Sequence, residues 1–232
     1  MNLYLNKDQV EAGVDEAGRG CFISRVYAGA VIWPQDPSII PPFPITDSKK
    51  ITKRRRKILE EFIHENAIAY ATGYATEQEI DEVNILNATM RAMHRAIKGL
   101  TSSQDPRSTF LPIDHLLIDG PNFREYYVAG TPIPHTCICQ GDALYTPISC
   151  ASILAKEAHD RYINQLCDQY PGLEEYGLRK NVGYGTKQHR EAINTLGITQ
   201  FHRKTFAPCQ NKKMNRISPI NNISSIEQSD AV

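Results

Sequence analysis

Residues 11–33 read EAGVDEAGRGCFISRVYAGAVIW, and this stretch sets the class of the fold. Short apolar runs over residues 11–17 and 25–33 predict two strands, joined by a glycine-rich turn. Further strands are predicted over residues 68–76, 115–120 and 134–142, and helices over residues 53–65, 77–83, 84–100, 146–169 and 186–196. Strands therefore alternate with helices through most of the chain, which is typical of an α/β protein.

The turn between the first two strands carries an unusual set of charges. Asp15 and Glu16 stand side by side where the first strand ends, although adjacent carboxylates repel each other. Arg19 follows, with Gly18 before it and Gly20 after it. The stretch has two interpretations: an ordinary surface turn, or a site for a divalent cation and a phosphate group.

The composition constrains partners and location only loosely. In 232 residues, 26 lysines and arginines balance 26 aspartates and glutamates, so attraction for a polyanion must come from local patches. There is no apolar run of about 18 residues, and the start MNLYLNKDQV lacks the regions of a signal peptide. The six cysteines are scattered, which favours reduced thiols. We therefore expect a cytoplasmic protein that does not associate with membranes.

Four acidic residues end predicted strands: Asp15, Glu16, Asp119 and Asp142. Each could be a simple turn residue, since Asp-Gly and Gly-Asp pairs favour turns. In open α/β sheets, however, the ends of strands are where sites form. Carboxylates that converge there need protonation or a cation, and oxygen ligands favour Mg²⁺ or Mn²⁺. Two such ions can activate water and stabilise a leaving oxygen in phosphodiester hydrolysis.

A set of short motifs resembles one known family. The motifs are GVDEAGRG (13–20), DSKKIT (47–52), NILNAT (84–89), LLIDG (116–120), ASILAK (151–156), GYGT (183–186) and FHRKTF (201–206). They come in the order seen in ribonuclease HII, and the chain resembles the bacterial type over roughly residues 11–208.

The resemblance implies a fold and a reaction. The expected fold is ribonuclease H-like, with a mixed central sheet flanked by helices and a helical C-terminal region. The catalytic domain would cover residues 1–210, and residues 211–232 would form a disordered polar tail. The implied enzyme hydrolyses the RNA strand of RNA–DNA hybrids and nicks 5′ of ribonucleotides embedded in duplex DNA. It leaves 5′-phosphate and 3′-hydroxyl ends and serves ribonucleotide excision repair and DNA replication.

The resemblance also assigns roles to the acidic residues. By matching motifs, Asp15, Glu16, Asp119 and Asp142 are the catalytic set and the ligands of two Mg²⁺ or Mn²⁺ ions. Asp160, in the helix that contains ASILAK, is a further candidate, although it could equally be a solvent-facing or capping acid.

Two motifs are expected to read the sugar of the substrate. RNA differs from DNA by its 2′-hydroxyl, so the enzyme must contact that group. The turn Gly18, Arg19 and Gly20 resembles the family's junction-sensing turn, in which glycines let the backbone approach the sugar. Tyr184 resembles the tyrosine that packs on the sugar after the ribonucleotide. The alternative is that GYGT is a plain loop with a partly buried tyrosine.

Basic residues supply the expected phosphate contacts. The run from Lys49 to Lys57 is dense in lysine and arginine, and such runs are most often solvated faces. Beside the DSKK match, phosphate contact by Ser48 and Lys49 becomes the favoured reading, and binding should weaken with salt. Further phosphate contacts are expected from Lys156, Arg203 and Lys204.

The chain departs from the family pattern at two places. Cys21 stands where the family usually has proline, and Ser24-Arg25 stands where it has Gly-Pro, which loosens the turn. Asn181-Val182 replaces a His-Lys pair before GYGT, which removes a charge near the substrate. These departures leave two alternatives to the hybrid nuclease open: a binding module that cuts poorly, and a nuclease for DNA alone. A monomer with no obligate protein partner is expected.

Overall fold

The computed structural model describes residues 1–45, 51–101 and 112–220. The strands are β1 (Glu11–Ala17), β2 (Val26–Ile32), β3 (Ala69–Ala75), β4 (His115–Asp119), β5 (Tyr127–Val128), β6 (Thr131–Pro132) and β7 (His135–Ile138). The helices are α1 (Lys53–Asn66), α2 (Glu77–Thr101), α3 (Thr146–Gln169), α4 (Leu178–Asn181) and α5 (Lys187–Leu196). No helix within these ranges is long and apolar enough to cross a membrane.

Five strands form one mixed sheet in the order β3-β2-β1-β4-β7. β1 pairs antiparallel with β2, as the predicted strand–turn–strand unit requires. β4 and β7 then add on the other side of β1, each parallel to its neighbour. β5 and β6 form a separate two-stranded hairpin that the sequence did not predict. The α/β class and the mixed sheet flanked by helices are confirmed.

Glycine allows the long helix α3 to lie directly on the sheet. A Cβ atom on Gly13 of β1 would stand 2.2 Å from the carbonyl carbon of Pro147. A Cβ atom on Gly29 of β2 would stand 2.2 Å from the carbonyl oxygen of Ala151. Since no side chain fits in either place, the first turns of α3 can touch the backbones of both strands. This close approach fixes the distance between α3 and the two strands.

By contact density the chain divides into two compact units. The first comprises Met1–Ala17, Tyr27–Tyr74 and Thr89–Glu157, and it contains most of the sheet. Its core includes one continuous apolar cluster formed by Val31, Trp33, Ile45, Ile51, Leu59, Ile63, Cys150, Ala151, Ile153 and Leu154. The second unit comprises Gly18–Val26, Ala75–Ala88 and Ala158–Val232, and it contains α4 and α5.

Capping side chains explain how α2 begins and why it bends. At its start, Glu79 N–H donates to Thr76 Oγ1 (3.2 Å) and Thr76 N–H donates to Glu79 Oε2 (3.1 Å), the predicted capping box. Asn84 then leaves the helical conformation, with φ 68° and ψ 166°. Its Oδ1 accepts from the N–H of Asn87, so it caps the second part of α2. The two predicted helices are thus one element with a break at Asn84.

One predicted strand end was wrong. β7 stops at Ile138, and Asp142 lies in a short 3-10 turn over Gly141–Ala143 rather than at the end of a strand. The strand cannot continue because Gln140 adopts a left-handed conformation, with φ 56°.

The predicted division into a catalytic domain over residues 1–210 and a polar tail stays a prediction. Within the first ten residues of that tail, the N–H of Ile220 donates to the carbonyl of Gln169. Residues 221–232 lie outside the described residues.

Candidate active site

The ends of β1 and β4 carry three of the four predicted acidic residues. Asp15 and Glu16 lie near the C-terminal end of β1, and Asp119 is the last residue of β4. The parallel register pairs Val14 with Ile118, so the residues that follow, Asp15 and Asp119, leave neighbouring strands at the same level. The topology therefore brings together carboxylates that are about a hundred residues apart in sequence.

Asp15 is the most buried of these carboxylates, with 5% of its surface exposed. Burial raises its pKa well above the ordinary value, and the negative charges of Glu16 and Asp119 raise it further. Hydrogen bonds from the Ser152 side chain and from the Glu16 N–H (2.6 Å) act in the opposite direction. Because the charges of Glu16 and Asp119 both act on the Asp15 carboxyl, the three residues form one electrostatic cluster.

The backbone of Asp142 contacts the same carboxylate cluster. Oδ1 of Asp119 accepts hydrogen bonds from the N–H groups of Gly141 (2.7 Å) and Asp142 (3.4 Å). The turn over Gly141–Ala143 thus packs against the Asp119 carboxylate, and Asp142 itself is half-buried. These bonds engage one oxygen of Asp119 and leave Oδ2 as the oxygen best suited to a cation.

The donor set fits a hard divalent cation. All four side chains offer oxygen, the ligand preferred by Mg²⁺ and Mn²⁺. Burial and then the neighbouring negative charges raise the pKa of Asp15, and a cation would relieve that repulsion. Among the described residues, no group of three or more His, Cys, Asp or Glu side chains is arranged so that it could hold a metal ion by itself. Mg²⁺ commonly retains waters and substrate oxygens in place of further protein ligands.

We expect Asp15→Asn to stabilise the metal-free protein at neutral pH by about 1 kcal/mol, because it removes a repelled, buried charge. A carboxyl whose folded-state pKa is raised stabilises the fold at low pH, and this contribution is lost as the pH rises through that pKa. The two proteins should therefore have similar free energies of unfolding near pH 4 and diverge above it. Urea denaturation in EDTA across this pH range measures the difference. A variant less stable at neutral pH would contradict the prediction.

In the second unit, Arg203 holds the turn that follows β1. Its side chain is fully buried, and its guanidinium donates to four backbone carbonyls. Nε donates to Ser24 (2.8 Å), Nη1 to Arg19 (2.9 Å), and Nη2 to Gly18 (2.8 Å) and Arg25 (3.0 Å). Burial lowers its pKa to about 10, so it stays charged at neutral pH. The predicted phosphate contact by Arg203 is therefore wrong, because its donors are directed into the protein.

The predicted sugar-reading residues meet in this unit. Gly18 has φ 86°, and a Cβ atom there would stand 2.6 Å from Cδ2 of His159, so the position requires glycine. Arg19 and Gly20 are exposed, and Tyr184 keeps 37% of its surface exposed. Cys21 and Tyr184 form an isolated antiparallel β-bridge, which holds the GYGT loop beside the turn. Partial burial raises the pKa of Tyr184 to about 12, so its phenol stays neutral.

Asp160 is not a solvent-facing acid. It is buried, and its Oδ1 lies 3.3 Å from Nδ1 of His159. Nε2 of His159 in turn lies 3.6 Å from Sγ of Cys21. Cys21, which stands where the family usually has proline, therefore packs into a polar contact that a proline cannot make.

Ser24 is a strained position in the same turn. It has φ 81° and is fully buried, and within the described residues its Oγ has no hydrogen-bond partner. A left-handed serine and an unpaired buried hydroxyl are both costly.

We expect Ser24→Gly to raise the free energy of unfolding by about 1 kcal/mol, since the relief of strain and desolvation exceeds the entropic cost of glycine. Thermal unfolding should shift upward by about 2–4 °C. Ser24→Ala is the matched control, because it removes the hydroxyl but keeps the strained φ. A Ser24→Gly protein that melts below the wild type would contradict the prediction.

The basic residues divide into a buried one and exposed ones. Arg56 is buried, and its Nε donates to Glu157 Oε1 at 2.6 Å, so it is not part of a basic surface. The exposed members of the run in α1 are Lys53, Arg54, Arg55 and Lys57. Lys156 in α3 is half-buried. The predicted contacts Ser48 and Lys49 lie outside the described residues.

Asn181 stabilises the GYGT loop through two hydrogen bonds. Its Nδ2 donates to the carbonyl of Tyr176 (2.8 Å), and its Oδ1 accepts from the N–H of Gly183 (2.9 Å). The sequence predicted here only the loss of a charge near the substrate. The polar side chain of Asn181 before a glycine was the available signal, since asparagine commonly bonds the backbone two residues on.

Comparison with known protein families gives one match that spans most of the chain. The family described as Ribonuclease HII matches residues 12–209. Ribonuclease HII of Bacteroides thetaiotaomicron is 47% identical over 203 residues, which cover 88% of this chain and 92% of the relative. Ribonuclease HII of Bacillus cytotoxicus is 42% identical over 206 residues, which cover 89% of this chain and 71% of the relative.

Solved structures agree on the fold. The chain is similar to a structure of the PCNA:RNase HII complex from Archaeoglobus fulgidus, with TM-score 0.65, 20% identity, and coverage of 85% of this chain and 95% of that one. It is also similar to Bst-RNase HIII in complex with Mn²⁺, with TM-score 0.65, 17% identity, and coverage of 87% and 68%.

Proposed function

Since the chain belongs to the ribonuclease HII family and is an endoribonuclease acting on RNA–DNA hybrids, we propose that it also nicks duplex DNA 5′ of embedded ribonucleotides. The proposed products carry 5′-phosphate and 3′-hydroxyl ends. We further propose that Asp15, Glu16, Asp119 and Asp142 are the catalytic residues and hold two Mg²⁺ or Mn²⁺ ions. A cytoplasmic monomer is the proposed working state.

The observation that carries this proposal is the carboxylate cluster at the ends of β1 and β4. Burial and the charges of Glu16 and Asp119 raise the pKa of Asp15, which means that three acidic groups share a small volume. A protein that only bound nucleic acid would gain nothing from negative charge near phosphates, since that charge repels the ligand.

The bound ions would polarise the scissile phosphate and lower the pKa of the attacking water. The chain's own residues position the carboxylates and restrain their movement. The N–H groups of Gly141 and Asp142 fix one oxygen of Asp119 and thereby orient the other. The Glu16 N–H similarly fixes Oδ1 of Asp15. Carboxylates that are held in this way need little rearrangement when a cation binds, which favours catalysis.

Substrate reading is proposed for a second set of residues. Gly18, Arg19 and Gly20 present backbone groups to the ribose 2′-hydroxyl, and Tyr184 packs against the deoxyribose that follows it. A sugar without a 2′-hydroxyl offers a flat apolar face suited to a neutral, half-exposed phenol ring. Phosphate contacts are proposed for Ser48, Lys49 and Lys156, and the exposed basic residues of α1 add local positive charge.

The test uses a labelled DNA duplex that contains one ribonucleotide, incubated with Mg²⁺, Mn²⁺ or EDTA. We expect a single cut on the 5′ side of the ribonucleotide with either metal and none with EDTA. A matched all-DNA duplex is the control. Equal cutting of the all-DNA duplex would show a general nuclease, and tight binding without cutting would show a binding module; either result would overturn the proposal.

A further inference from the structure

A pair of buried histidines lies beneath the GYGT loop. His189 in α5 and His202 in the loop that follows it are at most 1% exposed. Their Nε2 atoms are 3.2 Å apart, within hydrogen-bond distance. The rings of Phe22 and Tyr176 pack around them, with ring centroids 5.6 Å from His189 and 5.0 Å from His202 respectively. None of these groups contributes to the proposed hydrolysis.

The outer partners of the pair fix where its protons are. Nδ1 of His202 lies 2.9 Å from the backbone N–H of Thr199, which can only donate, so this nitrogen carries no proton. Nδ1 of His189 lies 3.1 Å from the carbonyl oxygen of Tyr184, which can only accept, so this nitrogen carries the proton.

The bond between the two rings then has one possible direction when both are neutral. His202 must carry its proton on Nε2 and donate it to the bare Nε2 of His189. Protonation of His189 would set two N–H groups against each other. The environment favours neutrality, because burial lowers the pKa of both rings, to about 3 for His202. A directed chain thus runs from Thr199 through His202 and His189 to the backbone of Tyr184.

We propose that His189 and His202 are positioning residues, whose hydrogen-bond chain fixes the backbone of Tyr184 and thereby aims its ring at the sugar beside the cleaved ribonucleotide. This inference rests on the proposed role of Tyr184. It adds one contact that helps to hold that ring in place: the loop contains glycine on both sides of Tyr184, so its conformation depends on contacts from outside its own sequence. The bond from His189 to the Tyr184 carbonyl, which also accepts from the Thr186 N–H (2.8 Å), adds to the restraint that the Cys21 bridge and Asn181 supply.

Two substitutions at residue 189 separate positioning from packing. In His189→Asn, the amide nitrogen replaces Nδ1 and can still donate to the Tyr184 carbonyl. In His189→Gln, the longer amide replaces Nε2, so the contact with His202 is kept and the bond to Tyr184 is lost. The readout is a selectivity ratio: kcat/KM for the duplex with one ribonucleotide divided by kcat/KM for a uniform RNA–DNA hybrid.

We expect His189→Gln to lower this ratio about tenfold, while His189→Asn keeps it within about twofold. Both should lose a similar amount of thermal stability. In a Tyr184→Ala background, His189→Gln should change the ratio no further, since the histidine acts through the tyrosine. An equal loss from both residue-189 variants, or an undiminished loss in the Tyr184→Ala background, would show a merely structural role and overturn the proposal.

The wild-type protein supplies a second, independent measurement. Nitrogen-15 NMR of the imidazoles should show His202 protonated at Nε2 and His189 at Nδ1, both neutral at pH 7. The opposite tautomers would break the chain and overturn the proposal even if the variants do not fold. If Tyr184→Ala alone leaves the ratio unchanged, the proposed role of Tyr184 fails, and that outcome is distinct because the tautomers would still be as expected.

Discussion

Asp119→Asn is expected to lower kcat on an RNA–DNA hybrid by roughly 10²- to 10³-fold, the size of effect seen when one group that stabilises a developing charge is removed. The physical reason lies in the two oxygens of Asp119. Oδ1 accepts from the Gly141 and Asp142 N–H groups, and asparagine can keep that role. Its amide nitrogen then occupies the place of Oδ2, and a neutral donor does not bind a cation.

The same contacts predict that Asp119→Asn folds normally. Steady-state cleavage of a labelled hybrid measures the rate, and thermal unfolding checks the fold. Asp114→Asn is the matched control, since Asp114 is exposed just before β4 and its Oδ2 accepts from the Val10 N–H, far in sequence from the acidic cluster. We expect this control to cut at close to the wild-type rate. A fully active Asp119→Asn protein would remove Asp119 from the catalytic set.

Arg203→Met is expected to lower the free energy of unfolding by about 3–5 kcal/mol, the range for breaking a buried charged network. Four carbonyl oxygens, of Gly18, Arg19, Ser24 and Arg25, would lose the guanidinium as a donor, and Gly18 would keep the weaker bond from the Cys21 N–H (3.3 Å). Methionine matches the length of the side chain but cannot donate. Urea denaturation measures this loss of stability from the shift of the unfolding midpoint, provided that the dependence of the free energy on urea concentration (the m-value) is unchanged.

Arg203→Lys tests whether the geometry of the donors matters beyond their charge. An ammonium group cannot reproduce a planar fork that reaches four carbonyls, so we expect an intermediate loss of stability. Arg203→Lys should also weaken discrimination between ribonucleotide and deoxyribonucleotide, because the turn over residues 18–20 loses its support. A loss below about 1 kcal/mol in Arg203→Met would show that water can replace the guanidinium.

The sequence allowed the five strands of the main sheet to be predicted, together with the proximity of Asp15 and Asp119. Apolar runs that end in acids, at Asp15 and Asp119, predicted both the strand ends and the carboxylate cluster. The reason is that neighbouring parallel strands bring their last residues to the same edge of the sheet. The structure places these two carboxylates close enough for one to raise the pKa of the other. Local patterns were sufficient here, since the end of each of these strands is marked in its own sequence by a change from apolar residues to an acid.

Burial of single polar side chains could not be predicted in this way. Arg203 was predicted to contact phosphate, yet its guanidinium binds four carbonyls that lie about 180 residues away. Arg56 looked like one more charge in a basic run, although Glu157 pairs with it in the interior. The histidine pair could not be predicted for the same reason, since His189 and His202 come into contact only through tertiary packing.

The bond from Arg203 to Gly18 spans 185 residues, and it has a consequence for the order of events during translation. The turn after β1 leaves the ribosome early, but its support is synthesised 185 residues later. A nascent chain can therefore pair its first two strands long before Arg203 can complete the turn that is proposed to contact the ribose. Long-range closures of this kind slow folding, so the turn reaches its final conformation only after Arg203 has been made.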